Sequence, residues 1–149
     1  MAYADTLRST TFTGSDIASL IEGIAVAGYP LTFSTWSPTY TGSGTLAYGT
    51  VTTTYAKYIQ IGKLVIMWLR ASGTVSGSGV EIRFTLPVTA AAANEIFPAG
   101  TLDAGSYLIP GMGYLQSTTV GAIYQTSVGN WTAAAGKIIL APGWMYQAA

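Results

Sequence analysis

The 149-residue chain contains no cysteine and no histidine. Those two absences remove Ser-His and Cys-His nucleophiles at a stroke, since neither the activating base nor the thiol is present. They also remove zinc or other transition-metal sites built on imidazole and thiolate. With no cysteine there is no disulfide framework. Charge is nearly as scarce. Charged residues make up 8% of the chain, against roughly 25% in ordinary soluble domains. Six acids balance six bases, for a formal net charge of zero. A neutral chain lacks the electrostatic term on which phosphate-backbone binding depends, so nucleic acid is not an expected partner. A surface this poor in charge is prone to self-association, which points to copies of the chain covering one another.

Long hydrophobic runs are missing too. The longest clean apolar stretch, Leu64 to Leu69, is far short of the roughly 20 residues that span a bilayer, so no membrane insertion is expected. At the N-terminus no basic region precedes an apolar core, and Asp16 and Glu22 interrupt the only candidate. The expectation is therefore no signal peptide. No fixed-period repeat, heptad array or Gly-X-Y tract encodes a fibre shaft.

What is present is strand-forming sequence. The length suits one domain that buries about 70% of its unfolded surface. Residues 1–14 show no sustained periodicity and read as an extended arm with Tyr3, Leu7 and Phe12 as its apolar points, or as a frayed terminus. From Ser15 the spacing changes. Ile17, Leu20, Ile21 and Ile24 fall at i, i+3, i+4 and i+7, one face of a helix. Ser15 can cap it, Asp16 complements its dipole, and Gly28-Tyr29-Pro30 ends it. So short a helix must lie against something. Residues 1–30 are thus assigned to docking and trimerisation, and 31–149 to a β-domain.

After Pro30 the pattern is β. Strands are expected at Leu31–Trp36, Leu46–Thr54 and Tyr55–Ile61, with a tight turn at Gly62-Lys63. Val80 to Leu86 alternates strictly, with Val80, Ile82, Phe84 and Leu86 on one face and Glu81 and Arg83 on the other. Leu64–Leu69 does not alternate, so it is apolar on both faces. One face packs into the core, and the other needs a helix, a loop or a second subunit. With subunit contact as the reading, Val65 and Met67 join Ile17, Leu20, Ile21 and Ile24 as oligomer-interface candidates. Residues 90–105 read as loop, with Pro98 and Gly100 as breakers. Short strands follow at 106–109, 113–117 and 120–127. A last strand runs over 137–147, with Pro142-Gly143 either bulging it or marking it as an edge. The fold expected is all-β: an antiparallel β-sandwich or jelly roll of about eight strands, preceded by the arm and one short helix.

Carboxylates offer little chemistry. Glycoside hydrolysis needs two carboxyl groups about 5 to 10 Å apart. Glu95 and Asp103 could approach each other across the loop at Pro98, or hold a calcium ion with backbone carbonyls, or stand as solvated loop acids. Glu81 and Arg83 make an exposed ion pair of little value. The glycines at 42, 44, 77 and 79 alternate with serine or threonine and have no following helix or lysine, so they are hairpin turns and not a phosphate cradle. No cofactor is implied. Among the aromatics, Tyr40, Tyr48 and Trp131 are candidates for contact with a glycan, with core or interface packing as the alternative.

One block carries a resemblance. Trp36-Ser37-Pro38-Thr39 followed by Gly42, then Tyr55-Ala56-Lys57-Tyr58, Gln60-Ile61-Gly62-Lys63 and Phe84-Thr85-Leu86-Pro87 resemble tip domains and surface knobs of tailed-bacteriophage virion proteins. The likeness covers residues 36–90 well and the rest loosely. It implies a non-enzymatic structural protein of the virion surface, made in the host cytoplasm, whose β-sandwich trimerises. As a capsid decoration or cement protein it would dock on the major capsid protein, or another virion protein, through its arm. As a tail-fibre or spike tip it would bind a host-surface glycan. No catalytic residues come with the resemblance. Only about 30 residues precede the β-domain, which favours the short docking arm.

Overall fold

The computed structural model describes residues 32–103, 108–125 and 129–149. The docking arm and helix expected in residues 1–30, with Tyr3, Leu7, Phe12, Ile17, Leu20, Ile21 and Ile24, lie outside the described residues. Phe33–Ala149 forms one compact unit. It is all-β and antiparallel, and no helix occurs among the described residues. In chain order the strands are β1 (Ser34–Thr35), β2 (Tyr40–Gly42), β3 (Ala47–Ile61), β4 (Leu64–Ser76) and β5 (Glu81–Thr85). Then come β6 (Ile96–Leu102), β7 (Ile109–Leu115), β8 (Val120–Gln125) and β9 (Ala134–Gln147).

They join into one curled sheet, in the order β1-β3-β4-β9-β6-β7-β8-β5-β2. The β6–β7 hairpin is nested within the β5–β8 pair, and that within β4–β9. The two ends of the sheet, β1 and β2, belong to a single stretch of chain that leaves β3 and reaches β5 within a few residues. Trp36 stands at the crossing. Its backbone N–H donates to Ala56 O on β3 at 3.3 Å, and its indole N–H donates to Thr85 O on β5 at 3.1 Å. Across the same gap Tyr40 and Thr53 share a hydroxyl hydrogen bond of 2.8 Å. The curl thus brings β2 back toward β3, although β1 ladders with only Lys57 and Tyr58 of that long strand.

Several strand boundaries differ from those expected. The pair drawn at 46–54 and 55–61 is one strand, because Thr53-Thr54-Tyr55 offers no turn residue. The chain instead absorbs irregularities between Gly49 and Thr52 and between Thr53 and Tyr55, with Thr50 at a φ of 48°. Bulges bend a long strand without ending it. The Gly62-Lys63 turn is as expected: Ile61 pairs with Leu64, and Gly62 has a φ of 58°. So is the bulge at Pro142-Gly143, where the β4–β9 register slips beside Met67 and Trp68 and Gly143 has a φ of 87°. The loop drawn at 90–105 is wrong over Ile96–Leu102, which is β6. Pro98 falls where β6 is laddered to β7 alone, since pairing with β9 begins only at Gly100. A proline is tolerated in such a half-open position.

The core fills the inside of the curl. Val65, Met67, Leu69, Ile82, Leu115, Ile123 and Ile139 are completely buried. At its centre Trp144 stacks on Phe97, with ring centroids 4.9 Å apart and planes within 14°. It leans on Phe84 at 5.5 Å and donates its indole N–H to Pro98 O at 2.8 Å. A Cβ at Gly113 would fall inside that indole, so β7 must carry glycine where it passes the ring.

Candidate functional site

The outer face of β3, β4 and β9 is the strongest functional feature of the surface. Strand residues alternate between faces, and along β4 Val65, Met67 and Leu69 point inward while Leu64, Ile66 and Trp68 point outward. Register sets their neighbours. Ile66 lies between Ile59 of β3 and Met145 of β9, Leu64 between Ile61 and Gln147, and Trp68 between Lys57 and Pro142. Phe33 meets the Trp68 ring edge-on at 5.4 Å. Three of these side chains are exposed: Met145 at 58%, Phe33 at 55% and Leu64 at 43%. The exposed apolar area of the group is on the order of 400 Å², within the roughly 300–600 Å² that the largest patch of a single soluble chain spans and that often serves a function.

This arrangement corrects one assignment. Val65 and Met67, placed in an oligomer interface from the sequence, are fully buried within their own chain. The doubly apolar strand exists as expected, but the pleat turns its even-numbered residues outward. A run without alternation carries no sign of which parity faces the core.

The glycan candidates are corrected as well. Trp131 is 2% exposed and donates its indole N–H to Val80 O at 3.1 Å. Tyr48 is buried, and its hydroxyl is shared between Ala71 O at 3.2 Å and Lys137 O at 2.9 Å. Burial holds the Tyr48 hydroxyl well above the usual tyrosine range. Tyr40 is half-buried, meets Tyr48 edge-on at 5.7 Å and spends its hydroxyl on Thr53. These three rings pack the core and the seam of the curl: Tyr40 and Tyr48 follow the pleat of β2 and β3, and Trp131 is tucked in from the segment before β9.

Two charged clusters have definite roles. Lys137 is buried and reaches the Asp103 carboxylate at 2.9 Å, the Asp103 carbonyl, and the Thr132 hydroxyl at 2.6 Å. The Thr132 N–H and hydroxyl each donate to the same Asp103 oxygen at 3.0 Å. Burial alone would push the Asp103 carboxyl up, but hydrogen bonds from Lys137, Gln125 and Thr132 outweigh it and hold the group below the ordinary carboxylate range. Asp103 is therefore a structural anchor. Glu95 and Asp103 flank opposite ends of β6, eight steps along an extended chain, or roughly 25 Å apart. That separation is too wide for a shared calcium ion or a glycosidase pair. Among the described residues no group of three acids could hold a metal ion.

The second cluster lies on the outer face of β5, β7 and β8, remote in the strand order from β3 and β4. The Arg83 guanidinium grips one Glu81 oxygen with Nε and Nη2, both at 2.9 Å. Tyr114 donates its hydroxyl to the other oxygen at 2.8 Å and meets Tyr124 edge-on at 5.9 Å. Burial, and then the bond to Glu81, push the Tyr114 hydroxyl up to about 12, so it stays a donor at neutral pH. The alternation of residues 80–86 foretold the Glu81–Arg83 pair, but the pair expected to be exposed is half-buried, with Tyr114 bonded to it. Nothing local announced the tyrosines, which come from strands far along the chain.

No family model matches the chain, and no match was found among curated proteins or solved structures.

Proposed function

We propose that this chain is a non-enzymatic structural protein that works as a self-assembled surface knob, a homotrimer built on a jelly roll. The single observation that carries the reading is the uncovered apolar face around Leu64, Ile66, Trp68, Phe33 and Met145. The nested hairpin pairings support the jelly-roll description. The exposed apolar area is about half of the ~800 Å² that one partner contributes to a standard interface, which suits it to the apolar centre of such a contact. At roughly 25 cal/mol per Å², covering it supplies on the order of 10 kcal/mol before the costs of association.

The occupant is a second copy of the chain. Zero net charge leaves no long-range repulsion between copies. Charge placement also favours a ring over a two-fold pair. Lys57 and Arg70 stand on this face and Lys63 in the turn at its end, with no acid on these strands. Packing the face against itself would oppose like charges, whereas a heterologous, head-to-tail contact avoids this and can close as a ring, for which the likeness to trimeric phage knobs supplies the number three. The particle is that of a tailed bacteriophage on the strength of the Trp36–Leu86 block, with the knob displayed on the virion surface and docked as a decoration or cement protein on capsid or other virion proteins. A cavity of about 410 Å³ lined by Glu81, Tyr114 and Tyr124 favours a second reading, a receptor-binding tip that contacts host glycan.

The test is a pair of outward substitutions, Ile66→Glu and Met145→Glu, followed by sedimentation velocity and near-ultraviolet circular dichroism. The expected result is an assembled native protein and monomeric, folded variants. A native protein that remains monomeric at high concentration rejects the assembly reading. Location on the virion is read by electron microscopy, where copies tiling the head would support cement and copies at a tail tip would support the receptor reading.

A further inference from the structure

We infer that the cavity beside Glu81 is a binding site for a neutral saccharide. It deepens the second, receptor-binding reading and is independent of the assembly face. The cavity holds about 410 Å³, within the range of small-molecule sites. Tyr114, Tyr124 and Glu81 line it, with Val80, Ile96 and Asn94 among its other walls. Ile96 is 68% exposed and Val80 39%. These apolar side chains are left uncovered beside a rigidly held polar group.

The chemistry of the walls selects the ligand. Glu81 has about four acceptor positions. Two on one oxygen take the Arg83 N–H groups and one on the other takes the Tyr114 hydroxyl, which, among the described residues, leaves one position for a donor from outside. The carboxylate cannot rotate without breaking all three bonds, so it presents that acceptor in a fixed direction. An anionic ligand would meet the carboxylate. A cationic ligand would gain little, because Arg83 already compensates the charge. A purely apolar ligand would strand the remaining acceptor in a partly desolvated site. A pyranose ring suits these walls: an apolar C–H face for the tyrosine rings and Ile96, and hydroxyls for Glu81 and the Asn94 amide. Aromatic side chains suit such a ligand, since they offer broad apolar area with little conformational entropy to lose.

The probes are the methyl glycosides of glucose, galactose, mannose and N-acetylglucosamine, with choline and acetate as the cation and anion controls. Each is titrated into the full chain and followed by nuclear magnetic resonance. At least one neutral glycoside is expected to bind with a Kd of about 0.1–10 mM and to shift resonances of Tyr124 and Ile96. Tyr124→Ala and Ile96→Asp should each weaken binding at least about tenfold. Ile96→Asp alters a side chain already largely in water, so it decides the matter if Tyr124→Ala fails to fold. Absence of binding by all four glycosides, binding indifferent to Ile96→Asp, or stronger binding of choline or acetate would overturn the assignment. The same samples run in the centrifuge separate the two readings, since Ile66→Glu should dissociate the assembly and leave glycoside binding intact.

Discussion

Met67 and Met145 provide a test in which the same atoms are deleted from opposite faces of adjoining strands. Met67 is completely buried on β4. Met145 lies across from Ile66 on β9 and is 58% exposed. Replacing Met67 by Ala removes a side chain enclosed by the core and leaves a cavity that close-packed neighbours fill only in part. The expected cost is about 2–5 kcal/mol. For a unit of this size each kcal/mol lowers the melting temperature by roughly 4 °C, so the midpoint should drop by about 8–20 °C. Met145→Ala takes away surface that is mostly in water already, and its cost to the single folded chain should stay within about 0.5 kcal/mol. Its effect belongs to self-association, where covering apolar surface on that face should weaken in proportion to the area lost. Urea unfolding at low protein concentration reads the first quantity, and sedimentation equilibrium reads the second. The two must be separated because assembly adds concentration-dependent stability. A Met67→Ala cost below about 1 kcal/mol, or equal losses for the two variants, would refute the inward and outward assignment of β4 and β9.

Other outcomes follow from the core and its buried charges. Lys137→Met leaves the Asp103 carboxylate buried without its cation and should cost about 3–5 kcal/mol in urea unfolding, whereas Lys137→Met combined with Asp103→Leu should recover most of that loss. Asp103 itself sets an acid limit. Its folded-state value lies below the ordinary one, so its contribution is present above the unfolded value near 4 and is lost as pH falls through the lower, folded value. Asp103→Asn should flatten stability against pH in the acid range, and an unchanged slope would contradict the anchor role. Gly113→Ala drives a methyl group into the Trp144 indole and should destabilise by at least about 1–3 kcal/mol, visible in thermal melts and in the near-ultraviolet signal of the displaced tryptophan.

The amino-acid sequence by itself determined that this is an all-β unit without a Ser-His or Cys-His nucleophile and without an imidazole or thiolate metal site. Composition settled the second point, because no histidine or cysteine exists to supply those groups. The first was written locally. The Gly62-Lys63 turn, the alternation of Glu81–Thr85, and the bulge at Pro142-Gly143 each depend on residues within a few positions of one another. What only the tertiary structure decided was parity, pairing and depth. Leu64–Leu69 is apolar throughout, and the choice of which three side chains face water was made by the neighbours that β3 and β9 bring to it. Pro98 marked a break until β7 arrived to ladder that stretch. Tyr48 and Trp131 look in the sequence like any other strand aromatics, yet the curl of the sheet sealed them in, while Tyr114 and Tyr124 were drawn together beside Glu81. Long-range strand pairing carries no local signature, since any pleated segment can accept many partners and the packing of the whole sheet selects among them.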